Sequence, residues 1–168
     1  MKKGFTLVEV LIMMLIILVL ATIAVPTYEK VIEKARLNEV RTTLKRIYDS
    51  KMRIMENMEK TTYDQSFGFE NLDFQFKCES AYSNNGHVIA CNTEDFTYWM
   101  CPPILAPTST TVCASRRKGD GTDVKFTYGE QNGGSGGFVC WDNSGQQKCS
   151  KIYGLADNSS GWPMCMNY

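Results

Sequence analysis

From Phe5 to Val25 the chain reads FTLVEVLIMMLIILVLATIAV, with one ionisable residue, Glu9. A run of about twenty such residues can cross a bilayer as a tilted helix. It cannot lie exposed in water, so lipid or other helices must cover it. Lys2 and Lys3 precede the run and predict a cytoplasmic N-terminus with the rest of the chain outside. Glu9 is the anomaly. A carboxylate in such a segment costs about 2.5–3.5 kcal/mol at a bilayer centre and less near an interface. If the chain were cut after Gly4, Phe5 would carry a new α-ammonium on the same segment. The carboxylate of one copy and the ammonium of another would then neutralise each other.

Composition narrows the function. Lys plus Arg and Asp plus Glu are equal, at 18 each, so there is no overall basic field for nucleic acid. Charge is densest between Glu29 and Lys60, with mixed signs, as on a solvated helix. All seven cysteines, Cys78, Cys91, Cys101, Cys113, Cys140, Cys149 and Cys165, follow the apolar run, and none forms a C-x-x-C. Behind a membrane-targeting segment this predicts disulfides in an oxidising compartment rather than zinc. The odd count leaves at least one thiol free or paired between chains. His87 is the only histidine, so neither a metal hydrolase nor a Ser–His–Asp site is supported. No catalytic residue, cofactor or metal site is predicted. Asp120-Gly-Thr-Asp123 reads as a turn, since it lacks the spaced ligands of a calcium loop. Arg116-Arg117-Lys118 reads as a solvated basic loop. Asn158-Ser-Ser160 is a glycosylation-type triplet.

Three readings of the N-terminus compete. A secretory signal peptide ending near Ala24 fits poorly, because Glu9 interrupts its apolar region and Pro26 follows the cleavage site closely. A plain anchor fits the length but leaves Glu9 unexplained, apart from tolerance near a helix N-terminus. The third reading uses more residues. Lys3-Gly4-Phe5-Thr6-Leu7-Val8-Glu9-Val10, with the apolar run and Pro26, resembles the prepilin leader of type IV pilins and the related type II secretion pseudopilins. The resemblance implies cleavage after Gly4 by a prepilin peptidase, N-methylation of Phe5, and Glu9 as the assembly residue facing a neighbouring N-terminus. It implies a single-pass precursor in the bacterial inner membrane, partnered by its assembly platform, then a polymer of the chain itself in an extracellular pilus. A secretion pseudopilin is the nearest alternative. A signal-anchored periplasmic disulfide-rich binding domain is a more distant one.

Helical periodicity continues past Pro26 through Val31, Ala35, Val40, Leu44 and Ile47, with Met52, Met55 and Met58 extending one face. Pro26 removes a hydrogen bond to Thr22, and a kink or local melting is expected there. Beyond Lys60, alternating aromatic runs at Leu72–Phe76, Phe96–Met100, Asp123–Tyr128 and Gly137–Trp141 predict strands. Asn132–Gly137 reads as a hairpin loop between the last two. The expected fold is α+β. A long N-terminal helix, with a transmembrane half and an amphipathic half, packs on a roughly four-stranded antiparallel sheet, as in a pilin head. The expected organisation is a leader at 1–4, an assembly helix at 5–26, an amphipathic helix at 27–60 and a head at 61–168. A looser resemblance of Phe138–Gly154 to pilin C-terminal regions suggests that Cys140 pairs with Cys149. Proximity in sequence suggests Cys78 with Cys91 and Cys101 with Cys113.

Overall fold

The computed structural model describes residues 4–57, 68–84, 86–100, 111–118, 124–129, 137–142 and 144–158, with only the backbone for Pro26, Lys30 and Asn84. Lys2, Lys3, Met58, Cys101, Cys165, Ser159, Ser160, the Asp120–Asp123 turn and the glycine-rich stretch 132–136 lie outside the described residues.

One helix, α1, runs from Leu7 to Asn57. At 1.5 Å per residue it is roughly 75 Å long. It continues through Pro26. Two threonines beside that position bond back into the helix, Thr22 Oγ1 to the Val19 carbonyl at 2.7 Å and Thr27 Oγ1 to that of Ile23 at 2.9 Å. From Leu7 to Val31 the helix has almost no cover from its own chain. Its large apolar side chains there are 42–82% exposed.

The second half is amphipathic, but its buried stripe starts later than expected. Val31 stays 59% exposed and Ala35 is exposed. Burial becomes complete at Val40, Leu44 and Ile47. These three side chains join Phe96, Tyr98, Val112, Ala114, Val124 and Phe126 in one core. Each fully buried large side chain contributes about 1.5–3 kcal/mol, so this stripe holds the helix to the sheet.

The sheet has six strands among the described residues, not four: β1 Ser80–Asn84, β2 His87–Asn92, β3 Phe96–Met100, β4 Val112–Arg116, β5 Val124–Gly129 and β6 Gly137–Asp142. Their order in the sheet is their order in the chain, and every pairing is antiparallel. The β5–β6 pairing makes the expected hairpin, from Gly129 opposite Gly137 to Val124 opposite Asp142. The run Leu72–Phe76 is not a strand. Its side chains alternate between buried or half-buried and exposed, yet the segment is tied to α1 instead of to a ladder. Arg53 grips Asp73 with two nitrogens at 2.8 and 2.5 Å, and Ser50 Oγ accepts from the Asp73 amide at 3.1 Å. The Arg46 guanidinium lies 4.1 Å from the Phe74 ring centroid.

The helix and sheet approach closely at Gly129, whose φ is +130°. A Cβ there would meet the Thr111 Cα at 2.9 Å and the Tyr48 ring at 3.0 Å. Two disulfides join described residues of the head. Cys78 bonds Cys91, tying the segment before β1 to β2, and Cys140 bonds Cys149, tying β6 to a π-helical turn, Cys149–Tyr153. Closing loops of 13 and 9 residues contributes about 2–3 kcal/mol each in the chain-entropy account. Cys113 is also disulfide-bonded; Cys101, its expected partner, is outside the described residues.

Candidate assembly helix and its junction with the head

The N-terminal site is built on the first turn of α1. Phe5 is 74% exposed, and no atom lies within 4 Å of where a Cβ on Gly4 would sit. Glu9 is not unpaired. Its Oε2 accepts from the Thr6 amide and the Thr6 hydroxyl, both at 2.8 Å, while the Glu9 amide donates to Thr6 Oγ1 at 3.3 Å. This is a reciprocal capping box, in which a Thr at the N-cap and a Glu three residues later satisfy each other's amides. The signal was in the sequence, as Thr6-Leu-Val-Glu9 directly before an apolar run. The carboxylate therefore has a partner within its own chain. Any pairing with a second chain must compete with that cap or share its second oxygen.

Beyond the cap, α1 presents apolar side chains on all sides. It is long and apolar enough to cross a membrane, and none of its most apolar window is buried against the rest of the chain. The structure brings Gly4, Phe5 and Glu9 within two turns of each other. It places Pro26 on the same helix just past the apolar run.

A second polar constellation lies where α1 meets the head. Glu33 Oε1 accepts from Arg36 at 2.5 Å and from Arg116 at 3.2 Å, and Glu33 Oε2 accepts from the Tyr153 hydroxyl at 3.1 Å. Asp95, in the β2–β3 turn, accepts from Arg116 at 2.7 Å and from Arg36 at 3.2 Å. Arg116 is 3% exposed, its guanidinium is 5.2 Å from the Phe96 ring centroid, and its Nε is buried with no acceptor among the described residues. Two arginines and two carboxylates balance, so the cluster buries paired charge. Burial alone raises the Glu33 carboxyl. The hydrogen bonds from Arg36 and Arg116, with the Arg116 charge, more than reverse this and hold it below its ordinary 4.5. Asp95 is held below its ordinary 3.8 by the same balance.

This corrects the reading of Arg116-Arg117-Lys118 as a solvated loop. Arg116 ends β4 inside the cluster, and only Arg117 and Lys118 face outward. Among the described residues, no group of three His, Cys, Asp or Glu is placed to hold a metal ion.

Residues 1–25 match the family model of the prokaryotic N-terminal methylation motif, the signature of type IV pilins and pseudopilins. With the long apolar helix ahead of a disulfide-stapled antiparallel sheet, the match fits a type IV pilin or pseudopilin. No curated protein and no solved structure matches the chain.

Proposed function

We propose that this chain is a structural subunit of a type IV pilus. It enters the inner membrane as a single-pass prepilin with leader 1–4 in the cytoplasm. A prepilin peptidase cuts after Gly4 and N-methylates Phe5. The assembly platform then polymerises the subunit through helix 5–26 into an extracellular filament, with 27–60 and 61–168 as its outer layer. The observation that carries this reading is an all-round apolar helix, bare of cover from its own chain, that begins with the methylation motif. Lipid covers it before assembly and copies of itself cover it afterwards, which removes roughly 1.5–3 kcal/mol of exposure per large side chain. Cleavage creates the Phe5 ammonium, the one new charge able to meet the free side of the Glu9 carboxylate. Pro26, just beyond the packed run, serves as a hinge as the helix adapts to the filament. The protein is the substrate of the processing enzyme and catalyses nothing.

Mass spectrometry of the chain from its native membrane tests the reading. An N-methylated phenylalanine at position 5 is the expected N-terminus. A chain beginning at Met1 or Val25 would overturn it. The stapled C-terminal half inclines the reading toward a pilus over a secretion pseudopilin. Surface filaments that disappear when the chain is deleted support the pilus, whereas a loss of protein secretion with filaments intact assigns the pseudopilin.

A further inference from the structure

The position of the head along α1 fixes its height above the membrane. The apolar run ends at Val25, and α1 continues unbroken to its first polar contact with the head at Glu33. Eight residues of helix rise roughly 12 Å. The headgroup layer on one side of a bilayer is about 5–7 Å thick. The Glu33–Arg116 cluster therefore stands within one side chain's reach of the lipid headgroups.

Strand β4 runs antiparallel to α1. Arg116 lies level with Glu33, at 3.2 Å. Thr111, just before the strand, lies level with Tyr48, both against Gly129. Continuing past Arg116 leads back toward the membrane, and two more residues of extended chain cover up to about 6–7 Å. Those residues are Arg117 and Lys118, whose side chains are 35% and 61% exposed. The β2–β3 turn, Thr93–Asp95, lies beside them, with the Arg117 amide bonded to the Asp95 carbonyl at 2.9 Å. Lys34 is exposed on the helix at the same level, and Tyr28, 67% exposed, marks the interface below.

We infer that Arg117, Lys118 and Lys34 form a collar that rests the head on the phosphate groups of the membrane surface before assembly. The inference builds on the reading of α1 as a membrane anchor. The collar's present partners are weak. Arg117 faces Glu79 at 3.6 Å and Lys118 faces Glu94 at 3.9 Å, with those carboxylate side chains 58% and 79% exposed. Arg117 also donates to the Thr93 carbonyl. Long, exposed ion pairs contribute little, so Arg117 and Lys118 can turn toward lipid phosphate without breaking a strong pair, the well-exposed Glu79 and Glu94 carboxylates remaining in water. Seating the head this way limits its tilt and presents each subunit to its neighbours at one height.

The test is paramagnetic relaxation in the full chain, reconstituted in bilayer nanodiscs containing phosphatidylglycerol and a lipid with gadolinium chelated at its headgroup. Amide signals of Thr93, Arg117 and Lys118 should be lost together with that of Tyr28, while Met100, at the other end of β3, keeps its signal. In the variant carrying Arg117→Gln and Lys118→Gln, the head tilts more freely, so the quenching of the β2–β3 turn should weaken while Tyr28 stays fully quenched. Unchanged quenching of the turn would show that the two side chains do not seat the head. An unchanged Met100 environment checks that the variant is folded. If Tyr28 is quenched and Arg117 and Lys118 are not, the head stands clear of the lipid and the collar is wrong. If Tyr28 also escapes, the helix is not inserted as described, and the collar falls with the anchor reading.

Discussion

The Tyr153 hydroxyl donates to the Glu33 carboxylate at 3.1 Å, across 120 residues of chain. This bond joins the π-helical turn to the point where α1 enters the head, and it shares its acceptor residue with Arg36 and Arg116. Tyr153→Phe keeps the edge-on contact with Phe126, whose ring centroid is 5.3 Å away, and loses a bond to a charged group. A destabilisation of about 1.5–3 kcal/mol is expected. Glu33→Gln leaves the buried Arg116 with Asp95 alone and should cost about 2–4 kcal/mol. Urea unfolding in detergent measures both. Because the two residues touch, the double variant should cost less than the sum of the singles. Strict additivity would show that they act separately.

Acid should open this junction, but only at low pH. Glu33 and Asp95 titrate below their ordinary values in the folded chain, so the unfolded chain takes up protons first as pH falls. Their contribution is complete above about 4.5, and it is lost as pH falls from there through the folded values. Stability measured from pH 7 to 5 should show no loss from this source, with the decline beginning near 4.5. In Glu33→Gln the acid decline should be shallower. An equally steep decline in that variant would remove Glu33 from the account.

Lys51 predicts an opposite trend in base. Burial lowers its pKa to about 8 from an ordinary 10.5. Below about 8 it is charged in both states, and the folded state bears the desolvation. Between about 8 and 10 the folded chain sheds its proton first, so stability should rise with pH. Above 10 the buried Tyr98 and Tyr153, both pushed up by burial, resist ionisation in the folded chain while unfolded tyrosines ionise, and stability should fall. Thermal unfolding across this range should give a maximum between 8 and 10, and Lys51→Met should flatten the rising limb, leaving the part that burial of Lys125 supplies.

Gly129 allows the helix and sheet to approach closely, so Gly129→Ala should be costly. The new methyl meets backbone at Thr111 and the Tyr48 ring, at a φ of +130° that other residues rarely adopt. Strain and overpacking together predict a loss of about 2–4 kcal/mol. Gly145→Ala, with a φ of +69° and open space around its Cβ position, should cost less. Equal costs would show that the close approach does not matter.

The capping box separates two roles of Glu9. Glu9→Gln keeps an acceptor for the Thr6 amide but removes the charge. It should insert normally and yield few filaments under the proposed function. Thr6→Ala removes the cap and keeps the charge. It should fray the first turn, costing about 1 kcal/mol of helix stability, with less effect on filament yield. Filament counts by electron microscopy compare them, and normal yield from Glu9→Gln would remove the charge from assembly.

The sequence was most legible where one face of an element is buried and the other is wet. Phe96–Met100 alternates buried and half-buried residues along β3, and its aromatics mark the strand. β4 was invisible because Val112, Cys113 and Ala114 are all buried, which erases the alternation, and none of them is aromatic. β2 fails for the same reason at Ile89, Ala90 and Cys91. β1 is an edge strand, Ser-Ala-Tyr-Ser-Asn, whose Ser80, Ala81, Tyr82 and Ser83 are all exposed, with no apolar stripe. Leu72–Phe76 alternates without pairing, because the bonds of Arg53 and Ser50 to Asp73 and the stacking of Arg46 on Phe74 hold this bent segment against α1 instead of in a ladder. At the site, the Glu9 anomaly was evident, and its Thr6 partner was legible only through the capping-box spacing Thr6-Leu-Val-Glu9. Arg116 was hidden in a basic triplet, since its depth follows from strand ends that meet only in the folded head.

The strand order has a consequence for secretion. Each strand lies beside its sequence neighbour, so under the proposed function the sheet can zip hairpin by hairpin as the chain emerges across the membrane. Both short disulfide loops can close within a stretch that has already emerged. Tyr153 is different, since its partner emerged 120 residues earlier. Of the bonds on Glu33, the one from Tyr153 is therefore the last to form, after those from Arg36 and Arg116, and a subunit truncated before Tyr153 keeps the packed stripe at Val40, Leu44 and Ile47 but lacks this final bond.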